Sequence, residues 1–230
     1  MTSKFDVIPL FPSPLYVTEI EGFTDDELKF VHRTDLYSKY ENTDGILVGS
    51  DRFDILQSPE LHRIKSFIKH HLQNYATDVM CVENELFPTI AWLNRTKKGA
   101  YHYQHHHVNS IASGVLYFTE DPAPIEFHTD QTCSWSTLKI FPKKYNQFNT
   151  HSNIIEVKKG TLIIFPSYLE HSVIRTSNNI DRISLSFNSW ISGTIGLLNQ
   201  TSYLNLDSPT LENEEKDNLN ILKERKKFLD

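Results

Sequence analysis

The chain has 230 residues, enough for one domain with a substantial core. Its net charge of −6 offers no basic footprint for nucleic acid, and no apolar run is long enough to span a bilayer. The opening MTSKFDVIPLFPSPLYV lacks the basic-then-apolar order of a secretion signal, and Cys81 and Cys133 could pair but fit a reducing compartment as well, so the expected location is the cytoplasm. Aromatic residues fall largely in strand-like segments, which favours β architecture over a helical bundle.

Residues 7–20 read as a proline-interrupted edge segment followed by a short strand. Thr24 is placed to cap a helix through DDELKFVHRTDLY, with Asp25, Asp26 and Glu27 in its first turn. Residues 42–56, with Gly45 and Gly49, read as irregular. Ser58-Pro59-Glu60 marks a second helix start, Ser at the N-cap and Pro at the first helical position. Leu61, Ile64, Phe67, Ile68, Leu72 and Tyr75 then form an apolar stripe at helical spacing, as in a helix packed on a sheet.

From residue 86 the texture changes to short β-branched and aromatic segments: 86–95, 100–107, 111–118, 124–128, 136–141, 153–157, 161–165, 172–175 and 182–190. Strands at this spacing predict a sandwich or barrel. Residues 119–153 form a longer stretch whose Trp135, Phe141, Tyr145 and Phe148 suit either a lid or a sandwich extension. The domain reading is 1–200, with helical support over 24–76 and a β core over 86–190. A polar extension over 201–230 is expected to be helical from Ser208-Pro209, and a homodimer is compatible with it.

Three consecutive histidines stand at 105–107. On an extended strand His105 and His107 point to one side and His106 to the other. His171 follows the buried run TLIIFPSYLE, where a strand ends in a turn. Two imidazoles from one segment and one from another can close a face of a metal ion. Arg182, on the next strand, shares its side with Ser184, Ser186 and Asn188, while Ile183, Leu185 and Phe187 take the other. A guanidinium binds a carboxylate through two parallel hydrogen bonds, and the Ser184 hydroxyl adds another contact. This combination asks for a non-haem iron centre with an anionic cosubstrate. His102, His128 and His151 gain nothing from the spacing and read as ordinary histidines.

GTLIIFPSYLEHSVIRTSNNIDRISLSFN (160–188) resembles the last part of the catalytic core of iron(II)/2-oxoglutarate-dependent oxygenases: a strand, a Phe-Pro-Ser turn, a distal His, then an Arg-x-Ser strand. AWLNRTKKGAYHYQHHHVNSIASGVLYF (91–118) resembles the preceding part in a prolyl-hydroxylase-like family of these enzymes. Its members carry a Trp-x-Asn strand, His-x-His and Ser-Gly-Val-x-Tyr. LFPSPLYV is similar to the start of that family. The likeness covers roughly residues 8–190, with 119–155 the least recognisable part, and the order of the motifs carries it.

The resemblance implies a mainly β fold, a double-stranded β-helix (jelly roll, cupin-like), with the metal at one open end. Flanking N-terminal helices and a C-terminal helix complete the expected architecture. It implies His105 and His171 as Fe(II) ligands. His107 falls where most of the wider superfamily has Asp or Glu, and a two-histidine site completed by water is the alternative. It places Arg182 and Ser184 on the far carboxylate of 2-oxoglutarate, with Tyr117 and Asn94 binding the same cosubstrate. Trp92 is expected in the pocket lining or the core, and His106 at the pocket mouth. The implied activity is a dioxygenase hydroxylating a peptidyl side chain or small metabolite, with O2 consumed and succinate and CO2 released. Two rivals are a three-histidine cupin-type metalloenzyme without a keto-acid cosubstrate and a non-catalytic β-sandwich binding protein.

Overall fold

The computed structural model describes residues 6–39, 47–120, 122–129, 140–177, 179–197 and 201–206. The chain divides into two units, Met1–Trp190 and Ile191–Asp230. In chain order the elements are β1 (Tyr16–Glu19), α1 (Asp25–Val31), β2 (Tyr37–Lys39), β3 (Leu47–Ser50), α2 (His62–Asn74), β4 (Leu86–Thr96), β5 (His102–His105), β6 (Ala112–Tyr117), β7 (Ile125–His128), β8 (Ser152–Ile155), β9 (Thr161–Pro166), β10 (His171–Val173) and β11 (Arg182–Ile191). Among the described residues, one sheet has the order β1-β9-β6-β11-β4-β3-β2 and a second has β5-β10-β7-β8. The fold is mainly β and jelly-roll-like, as the sequence led us to expect.

The two sheets close over an apolar cluster of Val115, Tyr117, Ile125, Ile163 and Phe165, with Phe127, Val157 and Leu169 packed against it. β6 is buried along its whole length. Gly114 lies at its centre because nothing larger fits: an added Cβ would stand 2.3 Å from Phe187 Cζ and 2.7 Å from the Ile163 carbonyl oxygen. Among the described residues β1 is an edge strand paired with β9 alone, in keeping with the prolines that precede it. α2 packs on β4 and buries Ile64, Ile68 and Leu72, so the apolar stripe has the role its spacing predicted.

Local signals were read correctly at some positions and not at others. Thr24 makes a full capping box with Glu27, whose nearly sequestered carboxylate also takes two hydrogen bonds from Arg63 of α2, at 2.9 and 2.7 Å. The helix it starts ends at Val31, short of the expected span. A 3-10 turn at Thr34–Leu36 follows, and the Tyr37 hydroxyl donates to the Val31 carbonyl. Ser58 does not cap α2. Pro59–Leu61 form a 3-10 turn, the α-helix begins at His62, and Ser58 Oγ is buried without a partner among the described residues. Residues 42–56 are not uniformly irregular, since Leu47–Ser50 are drawn into the large sheet by pairing with β4. Ile140 and Phe141 are not in a strand, and the rest of the strand expected at 136–141 lies outside the described residues.

In the second unit β12 (Thr194–Ile195) pairs antiparallel with β13 (Leu204–Asn205), and the Leu206 N–H donates to the Gly193 carbonyl at 3.0 Å. The C-terminal helix expected after Ser208 lies outside the described residues. So do Gly45, Cys133 and Trp135. Cys81 is an exposed free thiol. No helix among the described residues is long and apolar enough to cross a membrane.

Candidate metal centre

β5 and β10 lie side by side with His105 opposite His171. His107 stands beyond the end of β5, so it reaches the cluster from a loop and not from the extended strand the spacing predicted. Its backbone N–H is held by the Ser167 carbonyl at 2.9 Å, in the turn that follows β9. The ring centroids are 4.4 Å apart for His105 and His171, 5.1 Å for His107 and His171, and 5.3 Å for His105 and His107. One nitrogen from each of the three rings lies within 4.8 Å of the others, a spacing that can hold a metal ion.

The hydrogen bonds on the far side of each ring set which nitrogen is free. His105 Nδ1 is 2.7 Å from the Tyr103 carbonyl, and His171 Nδ1 is 2.9 Å from the Leu169 carbonyl. His107 Nδ1 faces the side-chain oxygen of Asn188 and lies 3.0 Å from Ser113 Oγ. A carbonyl oxygen can only accept, so these contacts place the proton on Nδ1 and leave the Nε2 lone pair for a cation. Burial, with His105 and His107 nearby, pushes His171 down to about 3. Burial also lowers His107, although Asn188 opposes the shift. His107 and His171 are therefore neutral near pH 7, the state a metal ligand needs.

Arg182 opens β11 and is 3% exposed. Its Nε donates to the Ala123 carbonyl at 3.2 Å, one terminal nitrogen donates to Ser184 Oγ at 3.1 Å, and the guanidinium carbon sits 4.9 Å from the Tyr117 ring centre. Among the described residues no carboxylate pairs with it. Burial lowers its pKa, with Tyr117 opposing the shift. It stays charged, since arginine titrates far above neutrality. The Tyr117 hydroxyl is buried with no hydrogen-bond partner among the described residues, and burial raises its pKa.

The histidines and Arg182 open into one cavity of about 850 Å³. Ser184, Ser186 and Asn188 line it together with Arg182, so the alternation read along β11 holds in three dimensions. Trp92 lines it 5.7 Å from the His107 ring, and Asn94 lines it while donating to Ser186 Oγ at 3.1 Å. Exposed His106 also lines it, whereas Tyr117 lies behind Arg182 and does not. None of the described residues of 119–153 except Ile125 reaches the cavity.

Two features were not visible in the sequence. His102 lines the same cavity, and its Nε2 is buried without a partner among the described residues. Burial and then the charge of Arg182 push it to about 3. Its spacing of three from His105 puts it on the opposite face of a regular strand. However, β5 spends three residues where β10 spends two, a bulge that turns both side chains to one side. The second feature is the Asn188–Ser113 pair behind His107. The polar face of β11 marked Asn188 as inward-facing, but nothing in the sequence named its partner.

Set in two β-sheets, a three-imidazole cluster beside a buried guanidinium defines a jelly-roll protein with the donor set of a non-haem metal centre. Residues 90–188 match the model of the family described as "Putative 2OG-Fe(II) oxygenase", a span that contains all three histidines and Arg182. Over this span the chain is similar to 2OG-Fe(II) oxygenases, and its three imidazoles and buried guanidinium fit Fe(II) and 2-oxoglutarate. Among curated proteins, none matches the chain.

Several solved structures share the fold. The non-haem alpha ketoglutarate dependent epimerase SnoN from nogalamycin biosynthesis aligns with a TM-score of 0.55 at 11% identity, over 82% of this chain and 83% of its own. A Pseudomonas putida prolyl-4-hydroxylase gives 0.51 at 14% identity, over 76% and 92%. HygX from Streptomyces hygroscopicus, with nickel, 2-oxoglutarate and hygromycin B bound, gives 0.51 at 13% identity, over 77% and 82%.

Proposed function

We propose that the chain is an Fe(II)- and 2-oxoglutarate-dependent dioxygenase that hydroxylates a peptidyl side chain or small metabolite, with release of succinate and CO2. The observation that carries this reading is the placement of three convergent imidazoles and a buried guanidinium, unpaired with any carboxylate among the described residues, in one cavity. In this reading His105, His107 and His171 hold the metal through Nε2. Arg182 binds the far carboxylate of 2-oxoglutarate, with Ser184 and Tyr117 supplying hydroxyls beside it and Asn94 fixing the neighbouring wall through Ser186. Bound iron supplies the activation of O2 that no side chain of the chain can provide. His105, His107 and His171 would supply three of the ion's ligands and would leave its remaining positions to the cosubstrate and O2.

The protein's own contribution is orientation and exclusion of water. Phe53, Ile90, Trp92, Tyr103 and Val108 line the outer cavity, and no carboxylate or lysine does so among the described residues. This lining supports an uncharged reacting portion of the substrate, which suits an apolar or amide side chain better than a free zwitterion. A three-histidine hydrolase without a keto acid leaves the buried guanidinium unexplained. Two cysteines and a ferrous cofactor favour a reducing cytoplasm. The test is a screen of peptides and metabolites for succinate formation from 2-oxoglutarate, with a mass gain of one oxygen on the substrate. Release should require added Fe(II) and O2 and should vanish in His171→Ala. Succinate formation that persists in His171→Ala would refute the reading.

A further inference from the structure

The three imidazoles are not oriented in the same way. His105 and His171 each rest on a backbone carbonyl two residues upstream, at 2.7 and 2.9 Å. Backbone carbonyls are present whatever the side chains, so those two tautomers are fixed by the chain path. His107 lies outside the strand and rests on a side chain, the amide oxygen of Asn188 in β11. That oxygen also accepts from Ser113 Oγ at 2.9 Å, so it faces two donors. Ser113 is fully buried and is itself 2.7 Å from Ser167 Oγ, which lies 2.7 Å from Ser110 Oγ. The resulting buried polar network joins β6, the turn after β9 and β11 around one ring.

We propose that Asn188, held by Ser113, is the positioning residue that makes His107 a competent metal ligand at the place where the wider superfamily has a carboxylate. The inference rests on the metal-centre reading above. A carboxylate needs no tautomer to bind a cation, whereas an imidazole must carry its proton on the nitrogen facing away. An imidazole on a loop therefore needs an acceptor behind it, and Asn188 is that acceptor. It lies on the same face of β11 as Arg182, so one strand sets both the third ligand and the guanidinium.

The experiment uses the full chain, with cobalt(II) as the binding probe and histidine-selective ¹⁵N NMR as the tautomer probe. Wild type should show His107 protonated on Nδ1, with the signal assigned by its loss in His107→Gln. Asn188→Ala should lose that single tautomer and weaken cobalt(II) binding about 10–100-fold. Asn188→Asp keeps an acceptor oxygen and should recover binding to within a few-fold of wild type. Ser113→Ala should give an intermediate loss. A wild-type His107 protonated on Nε2 would overturn the proposal, as would full cobalt affinity in Asn188→Ala. Should Asn188→Ala fail to fold, the wild-type tautomer and the Asn188→Asp and Ser113→Ala affinities decide the matter. His105→Ala and His171→Ala run in parallel: if they bind cobalt like wild type, the metal-centre reading itself fails, and if they do not, a null result at Asn188 counts against this inference alone.

Discussion

A guanidinium at 3% exposure, with no carboxylate partner among the described residues, is an expensive thing to bury. At Arg182 the cost is only partly offset by Ala123, Ser184 and the Tyr117 ring. A bound dicarboxylate would complete the pairing. Arg182→Ala should therefore weaken 2-oxoglutarate binding at least tenfold, about 1.5–3 kcal/mol for a charge-assisted contact, as read by calorimetry on metal-loaded protein. Unchanged affinity would remove Arg182 from the cosubstrate site. The shared face of Arg182 and Ser184 was legible in the sequence from side-chain alternation along β11, whereas the convergence of His105, His107 and His171 followed motif order, because His107 lies beyond the strand on which alternation had placed it. His102 was not legible, since a bulge breaks that alternation and leaves no mark in composition. The link between His107 and Asn188 spans 81 residues and forms only when β11 closes beside β6.

Elements were easiest to read where packing and local chemistry agree. α1 begins at its capping box, and α2 follows its apolar stripe. β3 was read as irregular because its four residues, LVGS, are stabilised as a strand only by the long β4 beside them. The Ser58 signal failed because the first turn after Pro59 tightens to 3-10 geometry, which removes the N–H a serine cap would meet. Gly114 shows how closely β6, β9 and β11 approach. Gly114→Ala would put a methyl against the buried Phe187 ring and a backbone oxygen that cannot rotate away. Such overpacking should cost about 1–3 kcal/mol and lower the urea midpoint with an unchanged slope. An unaltered midpoint would mean the sheets are looser at this point than the contacts imply.

At the scale of the whole molecule, the cavity's histidines couple metal binding to folding. In the metal-free chain, burial holds His102 and His171 at about 3 against an ordinary value of 6.5. Between those limits the unfolded chain carries protons that the folded chain does not, so stability rises with pH through this window and is lost as pH falls below about 6.5. Each group can contribute a slope of up to about 1.4 kcal/mol per pH unit. The urea midpoint of metal-free protein should fall from pH 7.5 to pH 5, and His171→Gln should flatten the decline. A level midpoint over that range would show that the folded histidines titrate normally. The most direct measurement is an anaerobic calorimetric titration of 2-oxoglutarate into the full chain, with and without Fe(II). One equivalent should bind tightly to iron-loaded wild type, at least an order of magnitude more weakly without iron, and His105→Ala and His171→Ala should lose the difference. Binding of equal strength with and without the metal, unaffected by those substitutions, would contradict a shared site for iron and cosubstrate.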